Sequence, residues 1–112
     1  MEKMTHADYI ADIRRRAGLL AAAIAAGESD ILDGCWALGP LLGQAELEAG
    51  DPDAGVIGLV CSELDGLPLG SVRDQWDSEA LDRLAPQLES AAAWARPIAM
   101  PAIQSLARRF GA

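Results

Sequence analysis

The sequence is poor in aromatic residues and in histidine, and each shortage excludes a class of protein. Aromatic side chains make up 4% of the 112 residues, whereas alanine and leucine are abundant. Strands prefer aromatic and β-branched residues, so this composition favours closely packed helices over a sheet. His6 is the single histidine, and it lies near a terminus, where ends fray. A Ser-His-Asp or Cys-His catalytic site is therefore not expected, and we predict that the protein is not an enzyme.

Cysteine is equally scarce, since it occurs only as Cys35 and Cys61. Both lie inside apolar stretches, and the chain has no Cys-x-x-Cys pair. Two cysteines are too few for a disulfide framework, and free thiols of this kind behave as small buried apolar groups. We therefore predict a reduced compartment and no metal or redox chemistry at these positions.

Basic residues are outnumbered by acidic ones, nine against 17, so the formal net charge is −8. A negative field of this size repels phosphates and anionic membranes and attracts basic partners. The triplet at residues 14–16 is all arginine, but Asp8 and Asp12 precede it by one turn, and Asp12 with Arg16 is a favourable helical pair. We interpret the triplet as a solvated helix face, with a phosphate-binding patch as the alternative, and expect no nucleic-acid partner.

The chain also has no apolar run long enough to cross a membrane, because a bilayer span needs about 20 apolar residues. The basic triplet is followed by apolar residues 18–26, which is the order of a signal peptide. We do not predict one, because Glu2, Asp8 and Asp12 would place acids in its basic region. No phosphate-binding glycine pattern occurs. We therefore expect a cytoplasmic protein with no membrane partner and no cofactor.

Apolar residues recur at helical spacing in the first half of the chain. Thr5, with an acid three residues later, predicts a capped first helix that ends near Gly27. Ser29 or Asp30 is expected to cap a second helix, which contains the costly series Gly39, Pro40 and Gly43. We predict that the two glycines, one turn apart, let a neighbouring helix approach closely, and that the proline kinks the axis.

The second half shows the same spacing after a break at residues 50–53. Residues 56–61 are predicted as part of a helix capped by Asp53, with a short buried strand as the alternative. A last long element is predicted from a Ser78 cap, continuing through Pro97 and Pro101 as one kinked helix or two abutting ones. The prediction is a single all-α domain over the whole chain, a bundle of about four to five helices.

Residues 62–76 contain the least generic side chains of the sequence, namely Glu63, Asp65, Arg73 and Trp76. In a structural interpretation Arg73 pairs with one of the acids and fixes a loop, while Trp76 fills the core. In a functional interpretation the acids flank a rigid aromatic on a surface that docks on a basic cleft.

This segment reads Ser-Glu-x-Asp-x-Leu-Pro-x-Gly-x-x-Arg-x-x-Trp and resembles a family of small acidic bacterial proteins, some of which look like toxin-immunity proteins. The resemblance covers about the last two-thirds of the chain. It implies a helical protein that blocks a toxin domain with a basic surface, such as a nuclease or a nucleotide-using transferase. Glu63, Asp65, Arg73 and Trp76 match the motif and are the predicted partner-binding residues. Leu64 departs from it, because a small polar residue is expected between the acids.

Two other functions remain open on the residues alone. The first is a structural or regulatory homodimer that packs through the face around Gly39 and Gly43 or through the alanine-rich faces of the first and last helices. The second is a small enzyme that uses Glu63 and Asp65, which requires a concave pocket holding both acids in different environments. A metal site at His6 with its neighbouring acids is disfavoured against an ordinary helix start.

Overall fold

The computed structural model describes residues 4–69 and 74–111, and these ranges fold into four helices. No strand occurs in the described ranges, so the predicted all-α bundle is confirmed, and residues 56–61 are helical. The helices are α1 (His6–Ala25), α2 (Ile31–Gln44), α3 (Pro52–Leu64) and α4 (Ser78–Phe110).

The helix starts are set by short polar side chains, two of them at the predicted positions. The Thr5 hydroxyl accepts a hydrogen bond from the Asp8 backbone N–H (3.0 Å), and the Asp8 carboxylate accepts one from the Thr5 N–H (3.3 Å). This reciprocal capping box satisfies two donors that the first turn of α1 leaves unpaired. Asp30 caps α2 by accepting from two backbone N–H groups at 3.0 Å each.

The predicted caps of the other two helices are wrong by one or two residues. α3 is capped by Asp51 instead of Asp53, because Pro52 fits the first helical position, where its missing N–H is not needed. The Asp51 carboxylate accepts from the Asp53 and Ala54 N–H groups, both at 3.1 Å. α4 is capped by Asp77, which accepts from the Glu79 N–H at 2.9 Å.

The close helix approach predicted for α2 occurs at one of the two glycines. A Cβ atom added to Gly39 would lie 2.8 Å from the Cys61 sulfur of α3, so any side chain at this position would require Cys61 to shift. A Cβ atom on Gly43 would meet nothing within 4 Å, and the prediction is wrong there. Of these two glycines, Gly39 contacts α3 and Gly43 is exposed to solvent.

The last helix is one continuous element of 33 residues that runs through Pro86, Pro97 and Pro101. At about 1.5 Å per residue it is about 50 Å long, which matches the longest dimension of the molecule, 50 Å. It is therefore one helix and not two abutting ones. Its fully buried residues begin only at Ala95, so its first half lies along the edge of the bundle.

The core forms where α1 packs on α2 and α4, and where α3 packs on the same two helices. α1 approaches the end of α4 so closely that a Cβ atom on Gly18 would lie 2.3 Å from the Phe110 backbone. No helix of the described ranges is long and apolar enough to span a membrane. The largest fully buried side chains include Ile31, Leu38, Ile57, Leu64, Ile103 and Leu106.

Candidate functional site

Three of the four predicted partner-binding residues lie around the end of α3 and the start of α4. Glu63 is in the last turn of α3, Asp65 is its C-cap residue, and both are exposed. Trp76 precedes α4 and is 38% exposed, so it does not fill the core. Arg73 lies outside the described residues.

Glu63 and Asp65 share one open groove between the end of α3 and the middle of α4. We call it the acidic groove, and its volume is about 380 Å³. Gly66 has a positive φ of 90° and reverses the chain at this point, while the buried Pro68 and Leu69 anchor the turn. The groove is lined by Glu63, Leu64, Asp65, Leu67, Gln87, Ser90, Ala91 and Trp94.

The aromatic residue of the acidic groove is Trp94, which the sequence interpretation did not select. Trp94 is 39% exposed, and it follows Gln87 and Ser90 along one face of α4. The signal was present, because Trp94 lies off the apolar stripe of the last helix, where a tryptophan has no core to fill. The groove thus presents two carboxylates, two neutral polar side chains and an indole ring.

The charge around this groove is strongly negative. Residues 63–90 contain seven of the 17 acids and two of the nine basic residues. Within residues 4–69 and 74–111, neither Glu63 nor Asp65 forms an ion pair. Because neither carboxylate has an ion-pair partner to give up in these ranges, the groove is suited to a basic group.

A second and larger groove, of about 630 Å³, lies between α1 and the end of α4, but its charged side chains are already paired. The guanidinium of Arg109 binds the Asp51 carboxylate at 2.7 Å and the Asp53 carboxylate at 2.8 Å. Ser105 donates a further hydrogen bond to Asp53 at 2.6 Å. Arg109 thereby holds the pKa of Asp51 below its usual value. These contacts join α4 to α3 and are structural.

Arg14, which also lines the second groove, binds backbone carbonyl groups. Its Nε atom donates to the Ala45 carbonyl at 3.0 Å, and its Nη2 atom donates to the Glu46 carbonyl at 3.1 Å. Both carbonyls directly follow α2, so Arg14 joins α1 to the end of that helix. The Phe110 ring lies 6.0 Å from the Arg14 guanidinium and 4.7 Å from that of Arg109. The arginines of this groove therefore fix helix ends.

His6 and Asp12, which belong to the disfavoured metal site, each contact other side chains in the structure. His6 Nε2 lies 2.9 Å from both carboxylate oxygens of Glu46. Asp12 binds Arg15 at 2.8 Å and Arg16 at 2.9 Å, which confirms the predicted Asp12–Arg16 pair. Over residues 4–69 and 74–111, no three His, Cys, Asp or Glu side chains form a group that could hold a metal ion.

Both cysteines are free thiols. Cys35 is fully buried, as predicted, and burial raises its pKa to about 11. Cys61 is half-buried and donates a hydrogen bond to the Cys35 carbonyl at 3.2 Å, and burial raises its pKa as well. Neither thiol therefore has the low pKa of a nucleophile.

The fold and the groove together define an acidic four-helix bundle with an exposed site of two carboxylates and a tryptophan. Comparison with protein-family models, curated proteins and solved structures finds no match for this chain. The resemblance to the immunity-like family therefore stays a prediction.

Proposed function

We propose that this chain is an immunity-type protein that binds and neutralises a bacterial toxin domain, with the acidic groove as the contact surface. The observation that supports this proposal is the placement of Glu63, Asp65 and Trp94 around one open groove, exposed and without ion pairs in the described ranges. Tryptophan is among the residues that contribute most to protein interfaces.

The chemistry of the groove favours an arginine or lysine of the partner as the central contact. A guanidinium can stack on an indole face while it forms hydrogen bonds with nearby carboxylates. The surrounding negative charge would speed the approach of a basic surface and give the association a strong salt dependence. A toxin whose cleft binds nucleic acid or a nucleotide carries such a surface, and occupying that cleft would block its substrate.

The test begins with affinity capture from the source bacterium, followed by assay of the captured toxin. The Glu63→Lys, Asp65→Lys double variant is compared with a Glu28→Lys, Glu48→Lys variant, which changes the net charge equally at exposed sites outside the groove. We expect the groove variant to bind at least about 30-fold more weakly, and the control to bind within a few-fold of wild type.

A pair of tryptophan variants locates the aromatic contact, because Trp94 and Trp76 are almost equally exposed, at 39% and 38%. Trp94→Ala is expected to weaken binding by about 30-fold or more, whereas Trp76→Ala tests the position that the motif suggested. Circular dichroism of each variant establishes that it is folded.

The supporting result is a toxin domain whose activity wild-type protein suppresses and the groove variant does not. Suppression by both charge variants alike would show that the groove is not the contact surface. Capture of nothing except further copies of this chain would reject the immunity function itself.

A further inference from the structure

The outer face of α2 and α3 carries an open apolar pocket that the acidic groove does not include. It has a volume of about 390 Å³ and is lined by Trp36, Gly39, Pro40, Gly58 and Cys61. Gly58 helps to leave this pocket open, because it has no side chain and a Cβ atom there would meet nothing within 4 Å. Trp36 and Pro40 form the α2 side of the pocket.

A large apolar side chain projects from the same face. Leu59 follows Gly58 on α3 and is 54% exposed. At about 100° of rotation per residue, Gly55 and Ser62 lie between Leu59 and Gly58 around the helix. Both are small and exposed, so no bulky group separates the projecting leucine from the pocket. The face thus has a projection and a cavity side by side, the arrangement that two copies need to fill each other's surface across a two-fold axis.

The charge distribution selects a second copy as the occupant. Residues 34–44 of α2 and 54–62 of α3 contain no charged side chain, although the chain carries a net charge of −8. Two copies repel each other least when they meet on an uncharged face, and a basic partner gains no attraction there. Glu63, one turn after Leu59, marks the edge of this face.

We infer that two copies of this chain associate through the α2–α3 face, with Leu59 of each copy seated in the pocket of the other. Helices of 14 and 13 residues lying side by side cover roughly 400 Å² on each copy. That area lies below the standard size of stable interfaces, so the dimer dissociates in the micromolar range or above. The inference does not depend on the proposed toxin contact, because the acidic groove lies on the other side of α3, toward α4.

Sedimentation equilibrium tests the association over about 1 µM to about 1 mM protein. Wild type is expected to change from monomer to dimer, and to associate more strongly at about 0.5 M salt than at about 0.05 M, because salt screens the repulsion between copies. Leu59→Glu is expected to stay monomeric, because it places two buried charges in the interface. Leu19→Glu is the matched control, since Leu19 is 51% exposed on α1, and it is expected to associate like wild type.

Filling the pocket tests the other half of the contact. In the Gly58→Leu variant the new side chain fills the pocket, and the helix has room for it. This variant is expected to raise the dissociation constant of the dimer at least about tenfold. Gly43→Leu is the control, because Gly43 is also unobstructed but does not line the pocket. Circular dichroism of both variants separates loss of association from loss of folding.

A cross-link reports the geometry directly. Leu59→Cys places a thiol against Cys61 of the partner subunit, and a copper–phenanthroline oxidant removes two electrons and two protons to form the disulfide. A covalent dimer is expected on a non-reducing gel, and it is expected to disappear when Cys61→Ser is added.

A wild-type chain that stays monomeric at all concentrations, or a Leu59→Glu variant that associates normally, would overturn the inference. Leu59→Cys giving no cross-link beyond that of wild type would overturn the seating of Leu59 in the pocket.

Discussion

The guanidinium of Arg109 binds both carboxylate oxygens of Asp51, a residue 58 positions earlier, at 2.7 and 3.2 Å. Asp51 also caps α3 through two backbone N–H groups. One carboxylate therefore closes the start of α3 and joins it to the last turn of α4. Because the Asp51 side chain is only 9% exposed, the arginine is its main source of compensating charge.

Arg109→Gln is expected to lower the free energy of unfolding by about 1–2 kcal/mol at neutral pH, since it leaves two shielded carboxylates without their cation. Arg108→Gln removes the same charge from the exposed neighbouring position, and we expect an effect within about 0.5 kcal/mol. Urea unfolding of the two variants measures the difference. Equal losses would assign the effect to the helix dipole and not to Asp51 and Asp53.

The same pair predicts how stability changes in acid. Arg109 holds the folded-state pKa of Asp51 below its unfolded value, so the contribution is complete above about pH 4 and is lost as the pH falls through the lower, folded-state pKa. The stability difference between wild type and Arg109→Gln is therefore expected to shrink in strong acid. Urea titrations at neutral pH and well below pH 4 test this, and a constant difference would contradict it.

Gly18 and Gly43 are expected to respond to alanine in opposite directions. At Gly18 the added methyl would lie 2.3 Å from the Phe110 backbone, which cannot move as a side chain can, so we expect a loss of at least about 2 kcal/mol. At Gly43 it meets nothing, and the better helix propensity of alanine is expected to add up to about 1 kcal/mol. Thermal unfolding compares the variants, and equal shifts would reject the close contact between α1 and α4.

Glu46 is the one residue other than glycine with a positive φ, 52°, in the described ranges. Glycine adopts this conformation without strain, so Glu46→Gly is expected to stabilise the fold by about 0.5 kcal/mol. Its contact with His6 is exposed and contributes little. Glu48→Gly, without such strain to relieve, is expected to destabilise by about 0.5–1 kcal/mol. Chemical denaturation of both variants decides, and a loss at Glu46 would show that its side chain contributes more than the strain costs.

The raised pKa of Cys35, about 11, predicts slow alkylation. At mildly alkaline pH its thiolate fraction is about a hundredfold below that of an ordinary cysteine, and burial slows access further. Mass spectrometry of iodoacetamide-treated protein, native and in urea, is expected to show Cys35 modified only after unfolding. Rapid modification of the native protein would mean that the α2–α3 contact opens readily.

Local features of this fold were predictable from sequence, and those set by distant packing were not. The Thr5 cap needs only residues within four positions, and it was predicted correctly. The Arg109–Asp51 pair joins residues far apart in the chain, so no local pattern indicates it. Gly39 and Gly43 look equivalent in the sequence, and only the packing of α2 on α3 decides which one makes the contact.

The candidate site follows the same division. Glu63 and Asp65 stood out by spacing and are exposed beside one groove, as a binding surface requires. Periodicity places Trp94 off the apolar stripe of the last helix, but the groove beside it depends on where the end of α3 lies along α4, which no local pattern shows. Sequence periodicity places a residue on a helix face but does not say how far along the helix the neighbours extend.

The pairing of α1 with α4 sets the order in which the protein acquires its structure during synthesis. α1 leaves the ribosome before the other three helices, yet α4, which covers much of its apolar face, is translated after them. Contacts this distant in sequence slow folding in comparison with bundles of adjacent helices. α1 therefore passes most of translation with apolar residues uncovered, and a nascent chain stalled before α4 is expected to bind chaperones that recognise such segments.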